Sequence, residues 1–218
     1  MDTMRRVINS FYEWCVSENL ITRNPAKNIK PIKSDAIARE PLSSLELEYL
    51  REACKNIREK AIIDFLYSTG CRVSEMCNAK LKNIDWNNKS VFIEHGKGGY
   101  SRNVYLNAEA EVSLRKYLAL RTINSEYIFA PAHKTKSAKT TPRAIQKLVK
   151  NLALRANIDP NHKITPHVFR HTTATQALHN GMPIEQVQRL LGHKQINTTL
   201  IYTKLDDTEI QTAHNKYI

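Results

Sequence analysis

The hydrophobic period of this chain changes once, and that change limits the folds open to it. Over residues 90–106, Val91 and Ile93 alternate with Phe92 and Glu94; then come Gly96-Lys97-Gly98-Gly99 and a second extended run from Arg102 to Leu106. A period of two broken by a glycine-rich centre predicts a β-hairpin. Elsewhere the apolar residues recur at helical spacing, which predicts helices over about 3–19, 44–55, 57–69, a short one from Val73, then 108–121, 142–156, 166–179, 183–191 and 197–204. Local signals mark several ends. Ser43-Ser44-Leu45-Glu46 fits a capping box, and Gly70 is placed to close the helix before it. Pro142, Pro166 and Pro183 sit at or beside first helical positions, and Thr165 is predicted to cap the helix of Pro166. The fold class is therefore mainly α, an α+β domain of helices with one small antiparallel β-sheet.

The chain divides by composition. Residues 1–24 hold one helix whose apolar positions, Met4, Val7, Ile8, Phe11, Trp14 and Cys15, make a face too broad to bury on its own; it reads as the last helix of a truncated helical domain. Residues 25–42, with Pro25, Pro31 and Pro41 and no clean period, read as a linker. Residues 43–204 form the main domain and 205–218 a short amphipathic tail. No repeat or low-complexity tract interrupts this order.

Charge narrows the partner. Lys and Arg outnumber Asp and Glu by 33 to 21, for a formal charge of +12, which favours a polyanion. Residues 131–163 concentrate it, with eight Lys and Arg against one acid, Asp159. On the helix predicted at 142–156, Arg143, Lys147 and Lys150 fall at i, i+4 and i+7, opposite Ile145, Leu148, Val149 and Leu152. One side packs and the other is cationic, as a helix lying against DNA requires, and Lys134, Lys136 and Lys139 extend the patch. A solvated lysine face is the plainer alternative. The four cysteines lack C-x-x-C spacing, so neither zinc nor a redox pair is indicated. They read as small hydrophobes in a reducing, cytoplasmic setting. No apolar run approaches the roughly 20 residues of a membrane span.

Four short stretches carry the chemistry. They are Thr69-Gly70-Cys71-Arg72-Val73-Ser74-Glu75-Met76, Gly96-Lys97-Gly98, His167-Val168-Phe169-Arg170, and Leu191-Gly192-His193 followed by Thr198-Thr199-Leu200-Ile201-Tyr202. Each alone is commonplace. In this order and spacing they resemble the tyrosine recombinase, or phage integrase, family over about residues 41–206. The resemblance implies a helical tyrosine-recombinase catalytic domain preceded by a core-binding domain, of which only a remnant helix stands here; strong site-specific binding by this chain alone is therefore not expected.

What the resemblance implies for each residue agrees with phosphoryl chemistry. Breaking a phosphodiester builds charge on the non-bridging oxygens, and arginine's planar, permanently charged fork suits that charge. Arg72 and Arg170 match the two phosphate-clamping arginines. Glu75 matches the acid that orients Arg72, and an Arg72–Glu75 ion pair at i+3 is the ordinary structural alternative. No ATP-binding G-x-x-x-x-G-K-[ST] run is present, so the energy of the broken bond must be kept in a covalent link. Tyr202 matches the nucleophile; its phenol, with an unperturbed pKa of about 10, needs nearby cations or a base. Lys97 matches the general acid for the leaving 5′ hydroxyl, His167 assists proton removal, and His193 donates a hydrogen bond to the phosphate. His171 reads as structural or supporting, and Tyr105 and Tyr217 as structural.

The implied activity is site-specific DNA cleavage and rejoining, as in DNA integration by mobile elements, with no metal or cofactor. The implied partners are double-stranded DNA at specific recombination sites, further copies of the chain in a tetramer that exchanges the 205–218 tail, and accessory DNA-bending proteins; no membrane is involved. Two rivals remain open: DNA relaxation of the type IB topoisomerase kind, and a non-catalytic DNA-binding regulator.

Overall fold

A computed structural model of the chain describes residues 2–30, 40–94, 101–131, 139–192 and 199. Two compact units divide it, Met1–Ala38 and Arg39–Ile218. In the first, helix α1 (Asp2–Ser17) buries Cys15 but exposes Met4, Val7, Phe11 and Trp14. Residues 25–29, read as the start of the linker, follow a segment end that is tied back to it. The Asn24 amide nitrogen donates to Asn9 Oδ1 at 3.0 Å and Glu13 Oε1 at 2.8 Å, and Ala26 is buried.

In the second unit, α2 (Ser44–Glu52) opens with the anticipated capping box. Glu46 N donates to the Ser43 hydroxyl, and Ser43 N donates to Glu46 Oε2. Helix α3 (Ile57–Thr69) ends at Gly70, whose φ of +55° is the left-handed conformation a helix stop requires. A side chain at Gly70 would also meet Leu191 and Thr173 at 3.1–3.2 Å, so space and backbone both select glycine. Helix α4 (Val73–Asn78) follows directly. The hairpin strands are β2 (Ser90–Ile93) and β3 (Arg102–Tyr105), paired antiparallel with Ile93 opposite Arg102 and Ser90 opposite Tyr105. Strand β1 (Ile84–Asp85) adds a third, giving the order β1-β2-β3. Two residues are too few to show a period, so the sequence gives no sign of β1. Val91, Ile93 and Val104 point into the core, while Phe92 and Tyr105 face solvent. Helices α5 (Ala108–Leu120), α6 (Pro142–Arg155), α7 (Pro166–His179) and α8 (Ile184–Leu191) complete the described part, close to their predicted bounds.

Helix α3 is the centre of the unit: α5 and α7 both pack on it. Ala61, Ile62, Phe65 and Leu66 are fully buried, and Phe65 meets Phe129 edge-on at 5.3 Å. Tyr117 stacks on Phe129 at 5.7 Å and accepts a hydrogen bond from Ala130 N. The predicted side-chain cap at Thr165 is absent. Thr165 stands at the N-cap, but its own carbonyl already accepts from Val168 N at 2.9 Å, the donor its hydroxyl would have capped.

One charge sits in this apolar centre. Asp64 on α3 is fully buried, with Oδ1 accepting from Arg51 Nε at 2.8 Å and Oδ2 accepting nothing among the described residues. Arg51→Met would strand that carboxylate and is expected to destabilise the unit by about 3 kcal/mol. Adding Asp64→Leu should restore most of the loss. Urea unfolding of the single and double variants checks this; equal loss in both would mean that Asp64 needs no partner.

Candidate active site

Arg72 is the residue at which α3 gives way to α4. Gly70 turns the chain, Cys71 is buried, and Arg72 stands at the N-cap of α4 in extended conformation. Glu75, at the third position of α4, accepts from Arg72 N at 2.9 Å and from Arg72 Nη1 at 2.9 Å. The orienting role and the i+3 ion pair weighed for these residues thus describe the same contact. The Arg72 side chain keeps 27% exposure, against 4% for Glu75, so the guanidinium reaches solvent while its anchor does not.

Arg170 lies 98 positions later, near the middle of α7, yet arrives beside the same segment. Its Nη1 donates to the Gly70 carbonyl at 2.9 Å and its Nη2 to the Leu191 carbonyl at 2.8 Å. It is 3% exposed. Two donors of one fork thereby join the chain entering Arg72 to the chain entering His193. His167 is on the same helix one turn earlier, on the exposed side, and His171 follows Arg170 partly buried. Lys97, His193 and Tyr202 lie outside the described residues, as do Lys134 and Lys136.

A third arginine joins the cluster that the motifs did not single out. Arg102 on β3 donates from Nη2 to Glu75 Oε2 at 2.8 Å, from Nη1 to Glu75 Oε1 at 3.2 Å, and from Nε to the Leu190 carbonyl at 2.9 Å. Its signal was available: Arg102 shares its strand face with Val104 and Leu106, so an alternating strand points a charge into the core. Burial alone would raise the Glu75 pKa. Hydrogen bonds from Arg102 and Arg72 outweigh it and hold the group down to about 2. A carboxylate so depressed stabilises the fold fully above its ordinary value of 4.5 and loses that contribution as pH falls toward 2. Relative to Glu75→Gln, the chain should therefore lose an additional stability of roughly 2 kcal/mol over that acid range. Urea midpoints of both proteins against pH measure it; parallel curves would show that the two arginines do not hold Glu75 ionised.

The flanking thiols are quiet. Burial pushes Cys71 up to about 11, and burial pushes Cys54 and Cys77 up to about 12. None is disulfide-bonded. No group of three or more His, Cys, Asp or Glu able to hold a metal occurs among the described residues. No described helix is long and apolar enough to cross a membrane.

The cationic helix is α6. Thr141 caps it through Ala144 N, and Ile145, Val149 and Leu152 are fully buried while Arg143, Lys147 and Lys150 are exposed. Lys139, just ahead, donates to Asn78 Oδ1 at 2.7 Å and lies 5.6 Å from the Tyr127 ring centre. Lys147 also lines a cleft of about 1180 Å³ with Lys55, Arg58, Arg155 and the exposed Leu120 and Leu154.

Residues 41–209, the span that holds all these stretches, match the phage integrase family. The chain belongs to that family. A tyrosine recombinase, XerA of Pyrococcus horikoshii, is 31% identical over 191 residues, which cover 88% of this chain and 66% of that protein. The tyrosine recombinase XerD of Rickettsia conorii is 34% identical over 226 residues, covering 94% of this chain and 73% of its own. Among solved structures, a XerA recombinase crystal structure superposes with a TM-score of 0.72 at 30% identity, covering 96% of this chain and 74% of that one. This family member thus spans about two thirds of the archaeal relative's length, and its mainly helical fold with a three-stranded sheet is the recombinase catalytic fold.

Proposed function

We propose that the protein is a site-specific DNA recombinase that cuts and rejoins strands through a covalent 3′-phosphotyrosine. The observation that carries this reading is the Arg170 fork. It fastens Arg170 to the carbonyl of Gly70, two residues before Arg72, so one segment brings together two arginines 98 positions apart in sequence, and in this reading both serve one phosphate. Family membership supports the remaining roles.

In this reading, the Tyr202 phenolic oxygen attacks the phosphorus, the bond to the 5′ oxygen breaks, and Lys97 gives that oxygen a proton. His167 assists removal of the phenol's proton, and Arg72, Arg170 and His193 hold the charge on the non-bridging oxygens. A 5′ hydroxyl from another strand then reverses the step, releasing Tyr202 and leaving a recombined phosphodiester. No bond energy is lost, so no nucleotide cofactor is required. Arg143, Lys147 and Lys150 on α6, with Lys134, Lys136 and Lys139, carry the duplex. Residues 43–204 act as the catalytic domain, 25–42 as its linker and 1–24 as the last helix of a core-binding domain. The 205–218 tail passes between copies in a tetramer on DNA, aided by DNA-bending proteins.

The test is a nicked duplex whose short 5′-hydroxyl fragment diffuses away after cleavage, presented as a library of random sequence with EDTA throughout. A denaturant-resistant protein–DNA band is the expected result. Its absence across the library would overturn the reading, and plasmid relaxation without recombinant product would redirect it to a topoisomerase.

A further inference from the structure

We infer that Arg102 is a positioning residue of the strand-transfer site, fastening three separate elements into one register. The inference rests on the recombinase reading for its consequence, though not for its geometry. Arg102 opens β3, five residues after Lys97 in sequence. Its two terminal nitrogens reach both oxygens of Glu75 on α4, at 3.2 and 2.8 Å, and its Nε reaches Leu190 O in the last turn of α8 at 2.9 Å. All three nitrogens of the fork are engaged, and the side chain is 12% exposed. Arg102 therefore acts through its neighbours rather than on a substrate.

The neighbours are the ones that matter. Glu75 accepts simultaneously from Arg72, so each carboxylate oxygen serves both arginines. Leu190 lies three residues before His193. The fit is close at that end. Gly192 has a φ of +69°, and a Cβ there would lie 3.0 Å from Arg102 Nη1 and 3.1 Å from its Cδ and Cζ. Glycine at 192 is thus required by the backbone and by the arginine lying against it. Lysine could supply charge at 102 but not three directed donors in one plane. Through this one side chain, β3, α4 and the last turn of α8 are held relative to each other, and these lead in sequence from Lys97, from Arg72 and toward His193; strand transfer needs that register because misplacement by an ångström is costly.

The test uses the full chain with Arg102→Met, Arg102→Lys, Glu75→Gln and the Arg102→Met/Glu75→Gln pair. A duplex recovered from adduct selection serves as the DNA probe. At saturating duplex, single-turnover adduct formation by Arg102→Met should fall about 100-fold, while the DNA dissociation constant stays put. Arg102→Lys should remain at least about 10-fold slow, since charge without the fork does not restore the register. The double variant should be little worse than Glu75→Gln, because both changes break one contact.

An unchanged rate, a dissociation constant that rises in step with the lost rate, full rescue by lysine, or multiplying losses in the double variant would each overturn the assignment. Amide hydrogen exchange on the DNA-free chain judges it independently. Arg102→Met should speed exchange at Gly192 and in α4 while sparing α5, and unaltered exchange at both would overturn it. A wild-type chain that forms no adduct would defeat the recombinase reading alone, and exchange would still decide whether Arg102 holds these elements.

Discussion

Tyr202→Phe is expected to form no denaturant-resistant adduct with any nicked duplex, a loss on the order of 10⁶-fold such as deletion of a nucleophile produces. The change removes one oxygen and keeps the ring, so packing around residue 202 has little reason to alter. It also removes no positive charge, and DNA affinity, set largely by phosphate neutralisation, should stay within about twofold. Tyr105→Phe is the internal control. Tyr105 is exposed on the outer face of the sheet, 55% accessible, and its carbonyl rather than its phenol is engaged, by Ser68 Oγ at 3.0 Å. Its variant should give the wild-type band, as should Tyr217→Phe. A band that survives in Tyr202→Phe would move the nucleophile elsewhere while leaving the covalent chemistry intact. A band lost together with DNA binding would mean that Tyr202 holds the duplex.

Arg170→Met is expected to fail twice, once in chemistry and once in folding. The guanidinium satisfies the carbonyls of Gly70 and Leu191, and the side chain is 3% exposed, so water cannot readily replace it. Leaving two buried acceptors without donors costs about 2–4 kcal/mol. Loss of a cation at the phosphate should slow single-turnover adduct formation by about 10³-fold. Lysine should rescue neither, having one nitrogen where two directions are used. The two losses separate by measuring urea unfolding and, well below both transitions, the cleavage rate. Stability lost with the rate intact would make Arg170 purely structural. The rate lost with stability intact would mean that the two carbonyls find other partners.

What could be read from sequence followed the range over which each signal acts. The bounds of the described helices, the capping box at Ser43 and the left-handed stop at Gly70 depend on a few neighbouring residues, and they were legible; the helix predicted over 197–204 lies outside the described residues but for Thr199. Thr165 was misread because the backbone offered the same bond its hydroxyl could have made. The hairpin strands announced themselves by alternation, whereas β1 was too short to do so. Pairings across the chain were not legible. Nothing local couples Arg102 to Glu75, 27 positions away, or Arg170 to Gly70, 100 away. Strand alternation places Arg102 inward but does not name its partner, and the reading of the sequence passed over both Arg102 and Asp64, the buried acid of α3 that only packing brings to Arg51. Lys97, His193 and Tyr202 rest on the motif resemblance, since they fall outside the described residues.

Among the described residues of this domain, four arginines donate to main-chain carbonyls rather than only to acidic side chains: Arg58 to Ala130, Arg102 to Leu190, Arg121 to Ser125, Tyr127 and Ile128, and Arg170 to Gly70 and Leu191. A peptide carbonyl is present whatever residue occupies the position. Mutation can therefore exchange the residue at most of these acceptor positions without deleting the acceptor, and no compensating change is needed elsewhere. Only the arginine must persist, so the framework of the site places demands on very few codons. A sequence can therefore drift far at these acceptor positions while the bonds that fasten the site's framework remain.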